Sequence, residues 1–143
     1  MLVFNCGICG KFSFTRRRQR RLQQPTQIEI FSRDDHNVET WDLAILTCDP
    51  RLEYNIISRH LVRQVLQIPV HPIDEKIEQC IHTHGCDEKI LGYVDLTWCF
   101  ERNNKRIQTT RFWVTATENP CYDAVLGRSE AEQCGLIKAK KHW

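Results

Sequence analysis

A chain of 143 residues with 41% hydrophobic and 27% charged side chains has room for one domain and enough apolar material to bury a core without disulfide or metal staples. Its formal charge of +2 excludes the strongly one-signed compositions that mark whole-surface nucleic-acid binders or acidic solvating chains. No apolar run approaches the roughly 18 residues of a membrane span, and the start of the chain is too short and carries its positive residues on the wrong side for a secretory leader, so a soluble intracellular protein, cytoplasmic or nuclear, is expected.

The first 26 residues read as a basic N-terminal arm. Residues 11–22 hold six basic side chains and no acid, which leaves the rest of the chain slightly acidic. Arg16, Arg17, Arg18, Arg20 and Arg21 are the candidates for contacts to nucleic-acid phosphates or for a nuclear import signal, a solvated arm being the plain alternative. Phe12 and Phe14 offer two stacking surfaces. Cys6 and Cys9 have the spacing of half a zinc knuckle, but no second such pair exists to complete it.

From Gln27 the texture becomes β. QIEIF, WDLAILT, ILGYVDLTWCF and IQTTRFWVTAT are rich in β-branched and aromatic residues and bounded by polar or turn residues. Asn103–Lys105 is the clearest hairpin turn, between a strand ending near Phe100 and one beginning near Ile107. Two segments have helical character. Residues 59–67 place Leu61, Val62, Val65 and Leu66 on one side and stop before Pro69. SEAEQCGL offers Ser129 as a cap, Glu132 three residues on, and Gly135 as a terminator. The expected class is all-β, a small closed barrel or sandwich with one or two short helices covering residues 27–137, followed by a loose tail over 138–143.

The stretch LAILTCDPRLEYNIISRHLVRQVL, residues 43–66, runs an apolar strand into Asp49, then a tight loop, then Asn55-Ile-Ile57-Ser58, then a short amphipathic helix. About 75 residues on, CYDAVLGRSEAE carries an apolar strand ending in Leu126-Gly127-Arg128. In order and spacing these pieces resemble the retropepsin-like aspartic protease domains of retroviruses and retroelements, the divergent fungal type above all, over roughly residues 27–137. The resemblance implies a barrel-like lobe, a homodimer that builds one site from two chains, and Asp49 at the catalytic aspartate. It also places the stretch 81–100 at a flap hairpin and the strand after it, with His82, His84, Gly85 and Asp87 as flap candidates and Gly92 at a glycine common in that family.

Asp49 is followed by Pro50 and Arg51, where the family has Thr or Ser and then Gly. In a working site two carboxylates share one proton and activate a water. The family's hydroxyl locks the two loops together by hydrogen bonds, and proline has neither a hydroxyl nor a backbone N–H. Glycine lets the backbone approach the carboxylate, whereas Arg51 adds a Cβ and a long cation that stands against a shared proton.

Cys80, His82, His84 and Cys86 fall at every second position, which on a strand lines them along one face; a straight strand cannot wrap one ion, so no metal and no cofactor is expected. Ser58 with His60 lacks a nucleophile elbow, and helix capping is the better role for Ser58. The function expected is that of a catalytically impaired aspartic-protease relative serving as a binding or assembly module for a peptide or protein segment. An active homodimeric endopeptidase with an atypical Asp-Pro-Arg loop and a nucleic-acid-binding fragment acting through the arm are the alternatives.

Overall fold

A computed structural model of the protein describes residues 25–33, 35–83, 88–101 and 103–137. Six strands and three short helices follow in the order β1 (Thr26–Arg33), β2 (Glu39–Cys48), β3 (Ile56–Ser58), α1 (Leu61–Leu66), α2 (Glu75–Thr83), β4 (Ile90–Phe100), β5 (Asn103–Thr115), β6 (Ala124–Leu126) and α3 (Arg128–Gln133). The strands close into a barrel in the order β1-β2-β6-β3-β5-β4, so the expected all-β class is observed.

Period-2 alternation builds the interior. β1 and β2 pair without a break from Thr26↔Leu46 to Arg33↔Glu39, which turns Ile28, Ile30, Ala44 and Leu46 inward together. Between them Asn37 takes φ of 63°, a left-handed conformation that asparagine tolerates, and its Oδ1 accepts from Arg33 Nη1 at 3.1 Å. β4 pairs with β1 on one side and β5 on the other. Trp98 fills the centre, fully buried, and its Nε1–H donates to Thr110 Oγ1 at 3.0 Å, the partner a buried indole needs.

The remaining sheet is held by short pieces. β6 lies parallel to β2 (Leu46↔Ala124) and antiparallel to β3 (Ile56↔Val125), while β3 runs parallel to β5 (Ile56↔Trp113). β6, far along the chain, therefore separates two strands that follow each other in sequence. On the outside of β3 and β6, α2 lays Ile81 against Ile56, Ile90 and Val125, a second small core.

Several local expectations need correction. Phe100 pairs with Asn103, so the β4–β5 turn falls ahead of Asn103–Lys105, which already belongs to β5. α1 is wound as a π-helix: the N–H of Gln67 reaches Val62 O, five residues back, and Val65 is rotated off the buried side while Leu61, Val62 and Leu66 stay in. α3 begins at Arg128 with Gly127 as its N-cap, so Ser129 does not cap it. Its first free N–H groups are tied elsewhere, as described below. Gly135 does end it, at φ of +77°, with Leu136 N–H returning to Ala131 O at 2.9 Å. The helix over Glu75–Thr83 was not anticipated, although Asp74 Oδ1 accepts from Ile77 N–H at 2.9 Å as an N-cap does, and Ile77, Cys80 and Ile81 have helical spacing.

Gly92 is a place where the barrel tolerates no side chain. A Cβ there would collide with the backbone carbonyl of His71 and with Val70 Cγ1, because residue 71 bridges Tyr93 through mutual backbone bonds of 2.8 and 2.9 Å. Gly92→Ala should therefore destabilise the domain by about 1–3 kcal/mol, the usual range for overpacking. Chemical denaturation of the two proteins measures it, and equal midpoints would show that the 68–71 segment yields freely.

Candidate functional site

β2 delivers Asp49 to the corner of the barrel where β6 turns into α3. The Asp49 N–H donates to Leu126 O at 2.9 Å, continuing the β2–β6 pairing one step past the strand. Pro50 presets a turn that closes with Leu52 N–H on Asp49 O at 3.0 Å. The carboxylate then folds back on its own loop. Oδ1 accepts from the Arg51 backbone N–H at 3.0 Å and from Arg51 Nε at 2.9 Å, and Oδ2 accepts from Arg51 Nη2 at 3.0 Å. This is a bidentate fork on a carboxylate whose side chain is 14% exposed, made by a guanidinium that is 62% exposed. The hydrogen bond to Asp49, and then its charge, push Arg51 above the ordinary guanidinium range.

The far half of the loop is pinned by Asn55 and Gly127. Asn55 is buried; its Oδ1 accepts from Gly127 N–H at 2.8 Å, its Nδ2 donates to Arg111 O at 3.1 Å, and its own carbonyl accepts from Trp113 N–H at 2.8 Å. Arg128 N–H donates to Leu52 O at 2.8 Å. The loop thus satisfies the N–H of Gly127 and Arg128, the N-cap and first residue of α3, which have no acceptor within the helix. A Cβ on Gly127 would sit 2.8 Å from Leu52 O and 2.9 Å from Tyr54 O, so this approach requires glycine. Asp123, just before β6, accepts from Ile45 N–H through Oδ2 at 2.9 Å and from Ser58 N–H through its carbonyl at 2.8 Å. Ser58 Oγ in turn accepts from Leu61 N–H at 3.1 Å, so Ser58 caps α1. Asn55 and Gly127, 72 residues apart in sequence, meet beside Asp49 at the end of β6, while Ser58 lies at the start of β6 beside Asp123.

His82 is not with them in the manner expected. It lies on α2 and not on a strand, with Nε2 3.7 Å from Glu78 Oε2, one helical turn away. α2 meets the Asp49 loop at its far end, where Tyr54 OH lies 3.3 Å from Cys80 Sγ and Leu52 and Tyr54 join the Ile81 cluster. His84, Gly85 and Asp87 lie outside the described residues, as do Arg16, Arg17, Arg18, Arg20 and Arg21, Cys6 and Cys9. The helix breaks the alternation that would have put Cys80 and His82 on one strand face, and among the described residues no three His, Cys, Asp or Glu side chains gather as metal ligands.

Among the described residues Cys48, Cys80, Cys99, Cys121 and Cys134 form no disulfide. Burial, with the nearby Cys134 and Asp49, pushes the Cys48 thiol up to about 12, and burial also raises Cys134. Both behave as small core hydrophobes rather than nucleophiles. No helix among the described residues is long and apolar enough to cross a membrane. Compared with models of known protein families and with curated proteins, the chain matches none.

A second cluster, unforeseen in the sequence, lies on the outer face of β4 and β5. Tyr54, Trp113, Tyr93 and His71 form a row with ring centroids 5.1–6.2 Å apart. The Arg111 guanidinium stacks over Tyr93 at 4.0 Å and forks onto Asp95 at 2.8 and 3.0 Å. Asp95 and Arg111 sit opposite each other in the β4–β5 ladder, which fixes the pair.

Two outcomes follow from these contacts. Asn55→Ala leaves the buried Gly127 N–H without its acceptor and takes a donor from the part-buried Arg111 carbonyl, and should cost about 1–3 kcal/mol, whereas Arg51→Ala, which removes a largely exposed cation, should cost less than about 1 kcal/mol; denaturant unfolding of both variants checks the order. The Arg111 hydrogen bond holds the Asp95 carboxyl below its ordinary range. Its contribution is therefore fully present above about pH 4 and fades as pH falls through the lowered value. Because both side chains are about half exposed, Asp95→Asn should cost under about 1 kcal/mol at pH 7. A difference from the native chain that grew on acidification would reverse this sign.

Proposed function

We propose that this chain is a retropepsin-like domain that has lost peptide cleavage and serves as a binding or assembly module. The observation that carries the proposal is the closed fork between Arg51 and Asp49. Support for the family half comes from placement: the Asp49 loop and the Leu126-Gly127-Arg128 segment, on which the resemblance rests, pack against each other because β6 threads between β2 and β3. A small closed barrel is the architecture that resemblance implies.

The functional half follows from charge and geometry. An aspartic protease needs its carboxylate free to share a proton with a second one across a bound water. Here three donors from one residue already occupy both oxygens of Asp49. For two such loops to meet in a homodimer, two guanidinium groups would have to leave, and Pro50 supplies no hydroxyl or N–H to tie the loops afterwards. Asp49 thus serves its own loop, as an acceptor that shapes the turn.

The native chain should show no pepstatin-sensitive cleavage of peptides between mildly acidic and neutral pH. Pro50→Thr combined with Arg51→Gly should move the site toward activity, and adding Asp49→Asn should abolish whatever appears. Recovery is expected to be partial, since a misplacement of about 1 Å costs on the order of a hundredfold in rate. Strong cleavage by the unmodified chain, lost in Asp49→Asn, overturns the proposal in favour of an active endopeptidase.

A further inference from the structure

Among the described residues the barrel's strands do not pair along its whole height. β2 is ten residues long and pairs with β1 over its length from Glu39 to Leu46, but on its other side β6 takes only Leu46–Cys48. The direction of the remaining backbone groups is fixed by Ile45, whose N–H points away from β1 to reach Asp123 Oδ2 at 2.9 Å. In an antiparallel ladder the direction alternates from residue to residue. The N–H and C=O of Leu43, Trp41 and Glu39 therefore also face away from β1, and no strand among the described residues pairs with them there.

Of the devices that normally blunt an edge this one carries only two charges, Glu39 and Asp42. The β1–β2 register runs without a bulge, and Glu39–Leu43 contains no Pro, Gly or Lys. Trp41 and Leu43 are 43% and 54% exposed, and the Trp41 ring leans on Phe31 with centroids 5.1 Å apart. Glu39, the one carboxylate on that outward row, is held by Arg33 at 2.9 Å.

We propose that this open edge is a self-association surface, on which a second copy of the chain lays its own Glu39–Leu43 antiparallel about a two-fold axis at Trp41. The register follows from the edge itself. At one end Asp123 occupies the Ile45 N–H; at the other the strand stops before Asn37 and Val38. The open stretch is thus centred on Trp41, and pairing about that centre lets each open N–H meet an open C=O. It sets Trp41 against Trp41 of the second copy, Glu39 beside the second copy's Leu43, and Thr40 beside the second copy's Asp42. No like charges oppose each other. Moving the axis to residue 42 would set Asp42 against itself and would require the Ile45 N–H that Asp123 holds. Such a pairing is isologous and closes at two copies.

The inference goes beyond the retropepsin-like reading, because the edge exists whether or not that resemblance holds. It also has a geometric consequence for it. From Trp41 to Cys48 the strand spans roughly 23 Å, and the two copies run in opposite directions, so their Asp49 loops end far apart.

Sedimentation equilibrium on the full chain tests the association, with photo-crosslinking from p-benzoylphenylalanine placed at position 41. A concentration-dependent dimer is expected, weakened at least about tenfold by Trp41→Lys and by Leu43→Lys. Ile107→Lys, which charges an exposed apolar residue on β5, should leave it unchanged. Crosslinks should join position 41 to residues 39–43 of the second copy. A chain that stays monomeric up to about 0.1 mM, a dimer insensitive to both edge variants, or crosslinks that land on the chain's own residues each overturn the proposal. Crosslinks through residues 49–54 overturn it too and pair the two Asp49 loops instead; whether those loops cleave is decided separately by the peptide assay.

Discussion

The structure depends on the close approach between Gly127 and the loop Leu52–Asn55. β6 is only three residues long and would be a weak strand alone. It is held by what flanks it: Asp123 ties the strand's start to β2 and β3, and Asn55 with Leu52 ties its end by accepting the Gly127 and Arg128 N–H groups. Remove the approach and the barrel loses the piece that joins β2 to β3, together with the start of α3, which carries Ala131 into the core. A side chain at 127 would press on backbone rather than on a movable side chain, so the constraint cannot relax locally.

The same constraint shapes the chemistry at Asp49. Leu126 fixes the Asp49 backbone and Leu52 closes the turn, and the carboxylate, 14% exposed, lies folded back over that loop. Arg51 completes it with a fork that satisfies both oxygens. A carboxylate so used contributes to loop geometry, and the proposed loss of proteolysis is the cost of that arrangement. In the proposed reading the corner has kept its architecture while its acid has changed employment from chemistry to structure.

The two faces of the domain differ in how their apolar groups are covered. Around β3 and β6 the outward residues Ile56 and Val125 lie under α2. Among the described residues no helix does this around β1 and β2, and Trp41 and Leu43 remain exposed beside backbone that no described strand pairs. Covering by a second β2 is the response the edge itself can supply, and it requires no new element from the chain.

Much of the fold was legible in the sequence because it rests on local rules. Alternating apolar residues in β1, β2, β4 and β5 announced strands, Ser58 announced a cap, and Gly135 announced a helix end, since each effect lies within a few residues of its cause. Pro50 and Arg51 in the Asp49 loop were equally visible. Only the tertiary structure decided the rest. That Gly127, not Ser129, begins α3 depends on N–H groups taken by a loop more than 70 residues earlier. Val65 points outward because α1 is π-wound, which residue spacing at 3.6 per turn cannot express. The Asp95–Arg111 pair is set by the β4–β5 register, and the open edge of β2 by the unequal lengths of its two neighbours. Spacing along a chain encodes which residues share a face; which chain segments then lie side by side is fixed only when loops close and strands of unequal length pair.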